Sequence, residues 1–342
     1  MDISIAADSD REQWNQFVDR EGGSFFQYYD WKFVYEFKNH NRFLPLMIRD
    51  SQSHITGIFP LADQKASRIY PWLSSLPEGG TGGYLLSNSL SDEEKNLHLN
   101  LFFEFINNNY SSTHSLITMK EHLSYENDLI ESSPLLRKNG FQWQDTSSEN
   151  LPCIHIVKMD ARFPFEEKNY HFPFKRRMRK KIRLVEKTGF HVITDHEFEY
   201  LDDFVEMQLQ MVKKFNAVAD KDELFKISQV FQNKIKLFIG LLDSQPVSAQ
   251  FCFCTPTTFY LSKAPYLPIA YKYLTNTLPI CAAIQYAYEH GYRYVELGQT
   301  FTPDLAYHKE QFGATKIPLR IYTKKLSLFK FFTNKLYGFI KD

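Results

Sequence analysis

Apolar residues recur along the first half of the chain at spacings that alternate between those of helices and those of strands. Trp14, Phe17 and Val18 stand at positions i, i+3 and i+4, which places all three on one face of a helix. Two apolar runs, over residues 43–48 and 54–61, are separated by polar residues, which is the pattern of a β-hairpin. The pattern therefore predicts a helix at 10–18, a helix at 29–37, this hairpin, and a helix after Ser91, where Glu94 completes a capping box.

The second half continues with a longer series of the same kind. Its predicted elements are a basic helix at 172–188, an acidic helix from a capping box at Thr194 and Glu197 to about 215, a helix at 221–234, strands at 237–242, 247–254 and 258–263, a long helix at 271–289, a strand at 294–297, a helix at 304–312 and a strand at 317–322. Gly189 suits the end of the basic helix, because glycine is common just after a helix C-terminus.

The two halves of the chain share an order of elements. Each has a hairpin with the turn Asp-Ser-Gln, at 50–52 and at 243–245, followed by a long amphipathic helix and a short strand. The polar stretch at 144–150 is the best candidate for a linker. We therefore predict an α/β (α+β) fold with a duplicated unit and two domains, 1–150 and 151–342.

Composition narrows the class of protein. The 342 residues include 40 Lys+Arg and 40 Asp+Glu, so the net charge is zero, and 43% of the residues are hydrophobic. This excludes a polycationic binder, a collagen-like fibre and a disulfide-dense miniprotein. Cys252 and Cys254 are expected to be buried thiols, and no metal site is predicted. Neither a signal peptide nor an apolar run of membrane-spanning length is evident, so we expect a cytoplasmic location.

The basic helix is the sharpest local departure from this neutral average. Between residues 171 and 187 there are eight Lys and Arg and one acid, a local balance of +7. Arg176, Arg179, Lys180 and Arg183 fall at i, i+3, i+4 and i+7, which aligns them as one cationic stripe. Guanidinium groups pair well with phosphate, so a phosphate-bearing substrate would suit this stripe. The alternative is a solvated helix that pairs with the acidic helix after it.

Several segments resemble the Fem-type branch of the GNAT acyltransferase superfamily, which includes the FemABX aminoacyltransferases of cell-wall bridge synthesis. The resemblance is carried by the sequences at 240–249, 287–291, 295–298 and 307–314, by the basic run at 174–181 with Gly189, and more loosely by 25–31 and 79–83. It implies two tandem GNAT-like domains, each a mixed, mostly antiparallel sheet flanked by helices. It also implies an enzyme that transfers an acyl or aminoacyl group to an amine, such as that of a cell-envelope precursor.

The donor can be argued from the segment that follows the third predicted strand of the second half. Ordinary GNAT enzymes hold the pyrophosphate of acyl-CoA on the backbone N–H groups of a Gly-rich turn. The corresponding residues, 264–271, include no glycine, and Pro265 and Pro268 each lack an N–H donor. This favours aminoacyl-tRNA, while acyl-CoA stays open and no tightly bound cofactor is expected. An acyl-CoA N-acyltransferase acting on a sugar or small amine, and a non-catalytic module binding an anionic ligand, are the alternatives.

The candidate site residues cluster near the end of the chain and on the basic helix. Glu296 ends a predicted strand and, like His308, could assist an amine nucleophile. Lys309, which lies in a segment that resembles a Fem-type signature, could neutralise an oxyanion. A surface ion pair for Lys309 and a satisfied polar group for His308 are the alternatives. The predicted substrate-binding residues are Arg176, Arg177, Arg179, Lys180, Gln299 and Tyr271.

The last twenty residues mix Lys with large apolar side chains. Such a segment can lie in a membrane interface, which would suit a lipid-linked acceptor and place the protein on the inner face of the membrane. The alternative is a helix that packs back on its own domain. Phosphate-bearing small molecules, lipid-linked substrates and tRNA are therefore the predicted partners.

Overall fold

A computed structural model describes residues 1–38, 41–64, 69–75, 82–120, 133–143, 153–159, 174–185, 188–214, 219–272, 275–319 and 321–341. The chain divides into two units, of which unit 1 comprises 1–147 with 319–342 and unit 2 comprises 148–318. The predicted linker at 144–150 lies outside the described residues. The predicted division differs at one end, because the last residues of the chain belong to unit 1.

The described residues form strands and helices with the following bounds, in chain order. The strands of unit 1 are β1 Asp2–Ile5, β2 Asn41–Arg49, β3 Ile55–Gln64, β4 Trp72–Ser75, β5 Leu85–Leu86, β6 Leu116–Lys120 and β7 Gln142–Trp143, and those of unit 2 are β8 Cys153–Lys158, β9 His191–Asp195, β10 Ile235–Leu242, β11 Gln245–Cys254, β12 Thr258–Lys263, β13 Tyr294–Thr300 and β14 Thr315–Pro318, before β15 Ile321–Lys325 returns to unit 1. The helices are α1 Arg11–Arg20, α2 Trp31–Tyr35, α3 Asp92–Tyr110, α4 Ser133–Lys138, α5 Arg176–Val185, α6 Leu201–Lys213, α7 Lys221–Val230, α8 Pro268–Lys272, α9 Leu278–Glu289, α10 Pro303–Glu310 and α11 Leu328–Lys341.

The two sheets share a pattern of parallel and antiparallel neighbours, although the chain connects their strands differently. The first runs β1-β2-β3-β4-β6-β15-β7, with β5 beside β3, and the second runs β9-β10-β11-β12-β13-β8-β14. In each sheet one neighbouring pair is parallel, β4 with β6 and β12 with β13, and every other pair of neighbouring strands among the described residues is antiparallel. The predicted fold of two mixed, mostly antiparallel sheets with helices is thereby confirmed.

The two predicted hairpins form around turns that polar residues stabilise. The Asp50 carboxylate accepts the backbone N–H groups of Gln52 and His54, at 2.8 and 2.9 Å, between β2 and β3. Between β10 and β11, Asp243 and Ser244 both adopt positive φ, at 49° and 63°. Two successive residues of positive φ match the right-handed twist of the strands that they join.

Each sheet buries one face beneath an amphipathic helix. In unit 1 the rings of Phe59 and Phe102 stack at 4.1 Å between β3 and α3. In unit 2 the apolar side of α5 packs through Met178 and Ile182 against a core that also contains Phe238 and Ile284. The basic helix is therefore held by its apolar face, which leaves its charged face to solvent. Cys252 and Cys254 are buried free thiols, as predicted.

Three predicted elements need correction, and one strand was not predicted. The capping box at Thr194 and Glu197 is wrong: Thr194 belongs to β9, and the Asp195 carboxylate accepts the N–H groups that precede α6. The long helix predicted at 271–289 is broken, and α9 begins at Leu278. The strand predicted at 317–322 is two strands in different sheets, β14 and β15, and β8 was not predicted at all.

The C-terminal helix α11 packs on unit 1 through a narrow face. The Asn334 side chain donates to the carbonyl of Tyr70 at 2.9 Å and accepts the Tyr70 N–H at 2.9 Å. It also donates to Ser115 Oγ at 3.0 Å. Within the described parts of the chain, no helix has both the length and the hydropathy of a membrane span.

Candidate active site

The candidate site lies where the parallel pairing of β12 with β13 ends. The register of β12 and β13 extends from Thr258 opposite Tyr294 to Tyr260 opposite Glu296. Just beyond, β13 bulges against β8, and Gly298 adopts a φ of +72° that favours glycine. The carboxyl ends of parallel strands are the usual ligand sites of open α/β sheets.

Lys309 is buried and clamps this bulge. Its ammonium group donates to the carbonyl oxygens of Gly298 at 2.9 Å and Gln299 at 2.7 Å. The lysine comes from α10, whose first turn is capped by Thr302, with its Oγ accepting the N–H of Leu305. Burial lowers the pKa of Lys309 to about 8, against the opposing effect of the Glu296 carboxylate. The surface ion pair that sequence analysis left open for Lys309 is excluded by this burial.

Glu296 and His308 complete a group of charged and titratable side chains. Glu296 is buried in β13, and its negative charge favours the protonated form of Lys309. His308 lies edge-on to the Phe312 ring, with the ring centres 5.2 Å apart. Burial lowers the pKa of His308, and the positive charges of Lys181 and Lys309 lower it further. At neutral pH its imidazole is therefore mainly uncharged and able to accept a proton.

A buried histidine that was not predicted from the sequence lies beside this group. His155 lies on β8, and its Nδ1 is 3.0 Å from Thr300 Oγ1. Its Nε2 has no hydrogen-bond partner among the described residues. Burial, and then the charges of Lys309 and Lys316, lower its pKa to about 4. The alternation of Cys153, His155 and Val157 with isoleucines is the sequence signal that could have revealed β8.

The basic helix borders the site at one end. The N–H of Lys175 donates to the carbonyl of Gln311 at 2.8 Å, and Arg177 donates to the Tyr307 hydroxyl at 3.3 Å. These two contacts fix the start of α5 against α10, which carries His308 and Lys309. Arg177 is thus brought close to the predicted catalytic residues.

The remaining predicted cations on α5 are exposed. Arg176, Arg179 and Lys180 point to solvent and make no ion pair with another described residue. The proposed pairing with the acidic helix does not occur for these three residues. Their charges are consequently available to a soluble anion.

The segment after β12 uses its backbone donors within the protein. Leu267 donates its N–H to the carbonyl of Val247 at 2.8 Å, and Ala270 donates to Leu267 at 3.0 Å. Pro265 and Pro268 have no N–H. Four of the positions from 265 to 270 therefore have no free N–H for a phosphate. Gln299 contributes its backbone carbonyl to the site, and the side chain of Tyr271 lies outside the described residues.

The arrangement suits attack of an amine on a carbonyl group. It joins a neutral imidazole, a buried carboxylate and a buried ammonium group with one proton beyond the two that the carbonyls accept.

One family model and several solved structures resemble this chain. A model of the acetyltransferase (GNAT) domain matches residues 174–309, which include α5, the strand pair and Lys309. The crystal structure of FemX superposes with a TM-score of 0.74 at 14% identity over 100% of both chains. A tandem GNAT protein from the clavulanic acid biosynthesis pathway gives 0.58 at 12% identity, over 95% of this chain and 98% of that one.

A third structure, L-PGS from Bacillus licheniformis, gives a TM-score of 0.55 at 13% identity over 98% of each chain. A search of curated proteins finds no match. The pattern of the sheets and the domain match both indicate a GNAT-like fold. Residues 174–309 thus match an acetyltransferase (GNAT) domain, and the chain over its length shares the fold of FemX and of a tandem GNAT protein.

Proposed function

We propose that this acyltransferase moves an aminoacyl group from aminoacyl-tRNA to an amine of a cell-envelope precursor. The observation that carries the choice of donor is the segment after β12, where Leu267 and Ala270 use their N–H groups internally and two prolines have none. A pyrophosphate therefore lacks the backbone cradle that acyl-CoA uses in ordinary GNAT enzymes. The resemblance to FemABX enzymes and the fold shared with FemX support the same donor.

The proposed reaction needs one bond formed and one broken. The amine nitrogen attacks the carbonyl carbon of the aminoacyl ester, the new C–N bond forms, and the C–O bond to the tRNA ribose breaks. His308 accepts the proton that the amine loses and delivers a proton to the departing ribose oxygen, and Glu296 keeps Lys309 protonated. The third ammonium proton of Lys309 donates to the oxygen on which negative charge develops.

The exposed cations of α5 would bind the phosphates of the donor or of the acceptor. Arg176, Arg179 and Lys180 have no internal partner among the described residues, so a bound polyanion would not have to displace one. Binding to phosphates through such side chains weakens steeply with salt, because counterions are released on binding.

An acyl-CoA N-acyltransferase acting on a sugar or small amine is the second candidate. It is favoured by the match of the acetyltransferase (GNAT) domain model to 174–309, because acyl-CoA is the general donor of that fold. The two candidates differ in the ligand that binds and in the bond that is cleaved.

Donor binding distinguishes them. Purified protein is titrated with unfractionated aminoacyl-tRNA and, separately, with acetyl-CoA, while binding and thermal stability are measured. We expect tRNA binding that falls with added salt, and no stabilisation by acetyl-CoA. Stabilisation by acetyl-CoA without tRNA binding would refute the aminoacyl-tRNA proposal. Transfer to cell-envelope precursors is measured by mass spectrometry. Binding of either donor without such transfer would instead favour a non-catalytic module.

The basic face is tested by charge reversal. We expect Arg179→Glu with Lys180→Glu to weaken tRNA binding at least tenfold and to reduce its dependence on salt. Lys213→Glu with Lys221→Glu is the matched control, since both lysines are exposed, on α6 and α7 of the same unit. Equal losses in both variants would show a general charge effect and would contradict a specific role for α5.

A further inference from the structure

The C-terminal helix α11 leaves a large apolar face in contact with solvent. Among the side chains described for this helix, four large apolar ones are exposed: Leu328 (62% exposed), Phe329 (74%), Phe332 (51%) and Leu336 (65%). Phe329, Phe332 and Leu336 stand at i, i+3 and i+7, so they form one continuous stripe along the helix. Single exposed apolar residues are common on protein surfaces, but a contiguous stripe indicates an interaction surface.

The helix is not merely frayed from its unit. Asn334 makes three hydrogen bonds, of 2.9 to 3.0 Å, with Tyr70 and Ser115. The ammonium group of Lys330 lies 5.5 Å from the centre of the Tyr70 ring. One face of α11 is thus anchored, and the anchoring presents the apolar stripe outward.

The charge around the stripe identifies its partner. Residues 319–341 include six Lys and Arg and no Asp or Glu, although the chain as a whole is neutral. Lys325 lies beside the stripe, with its ammonium group 5.4 Å from the Phe332 ring, and Lys335 is exposed one residue from Leu336. A lysine can keep its charge in the headgroup layer while its stem covers apolar surface.

We propose that α11 docks the protein on the surface of an anionic lipid bilayer. Apolar residues on one face with lysines beside them fit the boundary between acyl chains and negatively charged headgroups. Such a helix lies in the plane of the interface, in accord with the absence of a membrane-spanning helix from the described residues. The proposal does not depend on the transfer reaction or on its donor.

Sedimentation with vesicles tests the proposal on the full-length protein. We expect binding to vesicles of one part phosphatidylglycerol to three parts phosphatidylcholine, weak binding to pure phosphatidylcholine, and a loss of binding at high salt. Phe329→Glu with Phe332→Glu should reduce the binding at least tenfold. Leu97→Glu is the control, because Leu97 is an exposed apolar residue of α3, also in unit 1.

Two further measurements keep the test decisive. We expect the thermal unfolding of Phe329→Glu with Phe332→Glu to show that this variant folds as the unaltered protein does. We expect Lys325→Gln with Lys335→Gln to weaken binding to the anionic vesicles but not to vesicles of pure phosphatidylcholine. Equal binding of the double variant and the unaltered protein would overturn the proposal. A dimer in sedimentation velocity that the double variant loses, with no vesicle binding, would assign the stripe to a second copy of the chain instead.

Discussion

Lys309 holds the β13 bulge, and in the proposed mechanism the same buried ammonium group also stabilises the reacting carbonyl. The ammonium group holds the carbonyls of Gly298 and Gln299 at 2.9 and 2.7 Å, and it is the only cation that we place at the reacting carbonyl. Desolvation brings its pKa to about 8, so a modest rise in pH removes its charge. Lys309→Met should lower kcat/KM by about 100-fold, a loss typical of one oxyanion donor.

The pH dependence of transfer follows from two lowered pKa values. His308 must be neutral, so kcat/KM rises as pH increases through the pKa of His308, which lies below 6.5. Lys309 must be charged, so kcat/KM falls again above about pH 8. We expect a bell-shaped profile in which His308→Gln removes the acidic limb. Lys309→Arg should move the alkaline limb to higher pH. An alkaline limb that is the same in Lys309→Arg and in the unaltered protein would contradict the assignment of this limb to Lys309.

His155 should couple stability to pH in the acidic range. Its pKa is about 4 in the folded state and about 6.5 when unfolded, so the unfolded chain binds the extra proton between these values. The contribution of His155 to the free energy of unfolding is complete above pH 6.5 and is lost as pH falls towards 4. The whole loss is roughly 3 kcal/mol at most.

Chemical denaturation at a series of pH values measures this effect. The free energy of unfolding of His155→Gln should change less between pH 6.5 and 4 than that of the unaltered protein. His54→Gln is the control, because His54 is an exposed histidine of unit 1. A pH dependence that His155→Gln leaves unchanged would refute the prediction.

At the scale of elements, the β13 bulge depends on a glycine. Gly298 has a φ of +72°, and a Cβ there would lie 3.2 Å from the Leu261 carbonyl oxygen. Gly298→Ala should therefore cost at least about 1 kcal/mol of stability and shift the carbonyls that Lys309 holds. Because the site is shifted as well as strained, the activity should fall further than stability alone explains.

Gly291 provides the matched control for that variant. Its φ is +75°, but no atom lies within 4 Å of an added Cβ. Gly291→Ala should lower the thermal midpoint, because an alanine at this φ is strained in the same way as at Gly298, and should leave kcat/KM nearly unchanged. Equal losses of activity in both variants would contradict the role of the bulge.

The element pattern was predictable wherever it is local. The hairpins, α3 with its capping box, and the amphipathic α5 follow from the spacing of apolar and capping residues within single segments. The box at Thr194 failed because the register with β10 extends β9 to Asp195, whose carboxylate then caps the next helix. Strand pairing outweighed a local capping preference there.

At the scale of the whole molecule, the C-terminal segment is part of unit 1 and not a tail of unit 2. β15 lies between β6 and β7, and Tyr322 is fully buried in the core of that unit. Removal of residues 319–342 should therefore destabilise the sheet of unit 1 and abolish a cooperative thermal transition for it.

A shorter truncation separates the strand from the helix. Removal of residues 328–342 deletes α11 with the Asn334 contacts and keeps β15, so unit 1 should unfold cooperatively at a lower temperature. If the two truncated proteins unfold at the same temperature, β15 does not carry the stability assigned to it.

The sequence alone determined the periodic elements, the duplicated order and the candidate residues Glu296, His308 and Lys309, because these depend on neighbours within one segment or on short motifs. Only the tertiary structure decided that β15 joins the first sheet, that His155 lies beside Lys309, and that the ammonium group clamps a bulge. These features bring together residues far apart in the chain. Their partners are set by strand register and by burial, which no local spacing specifies.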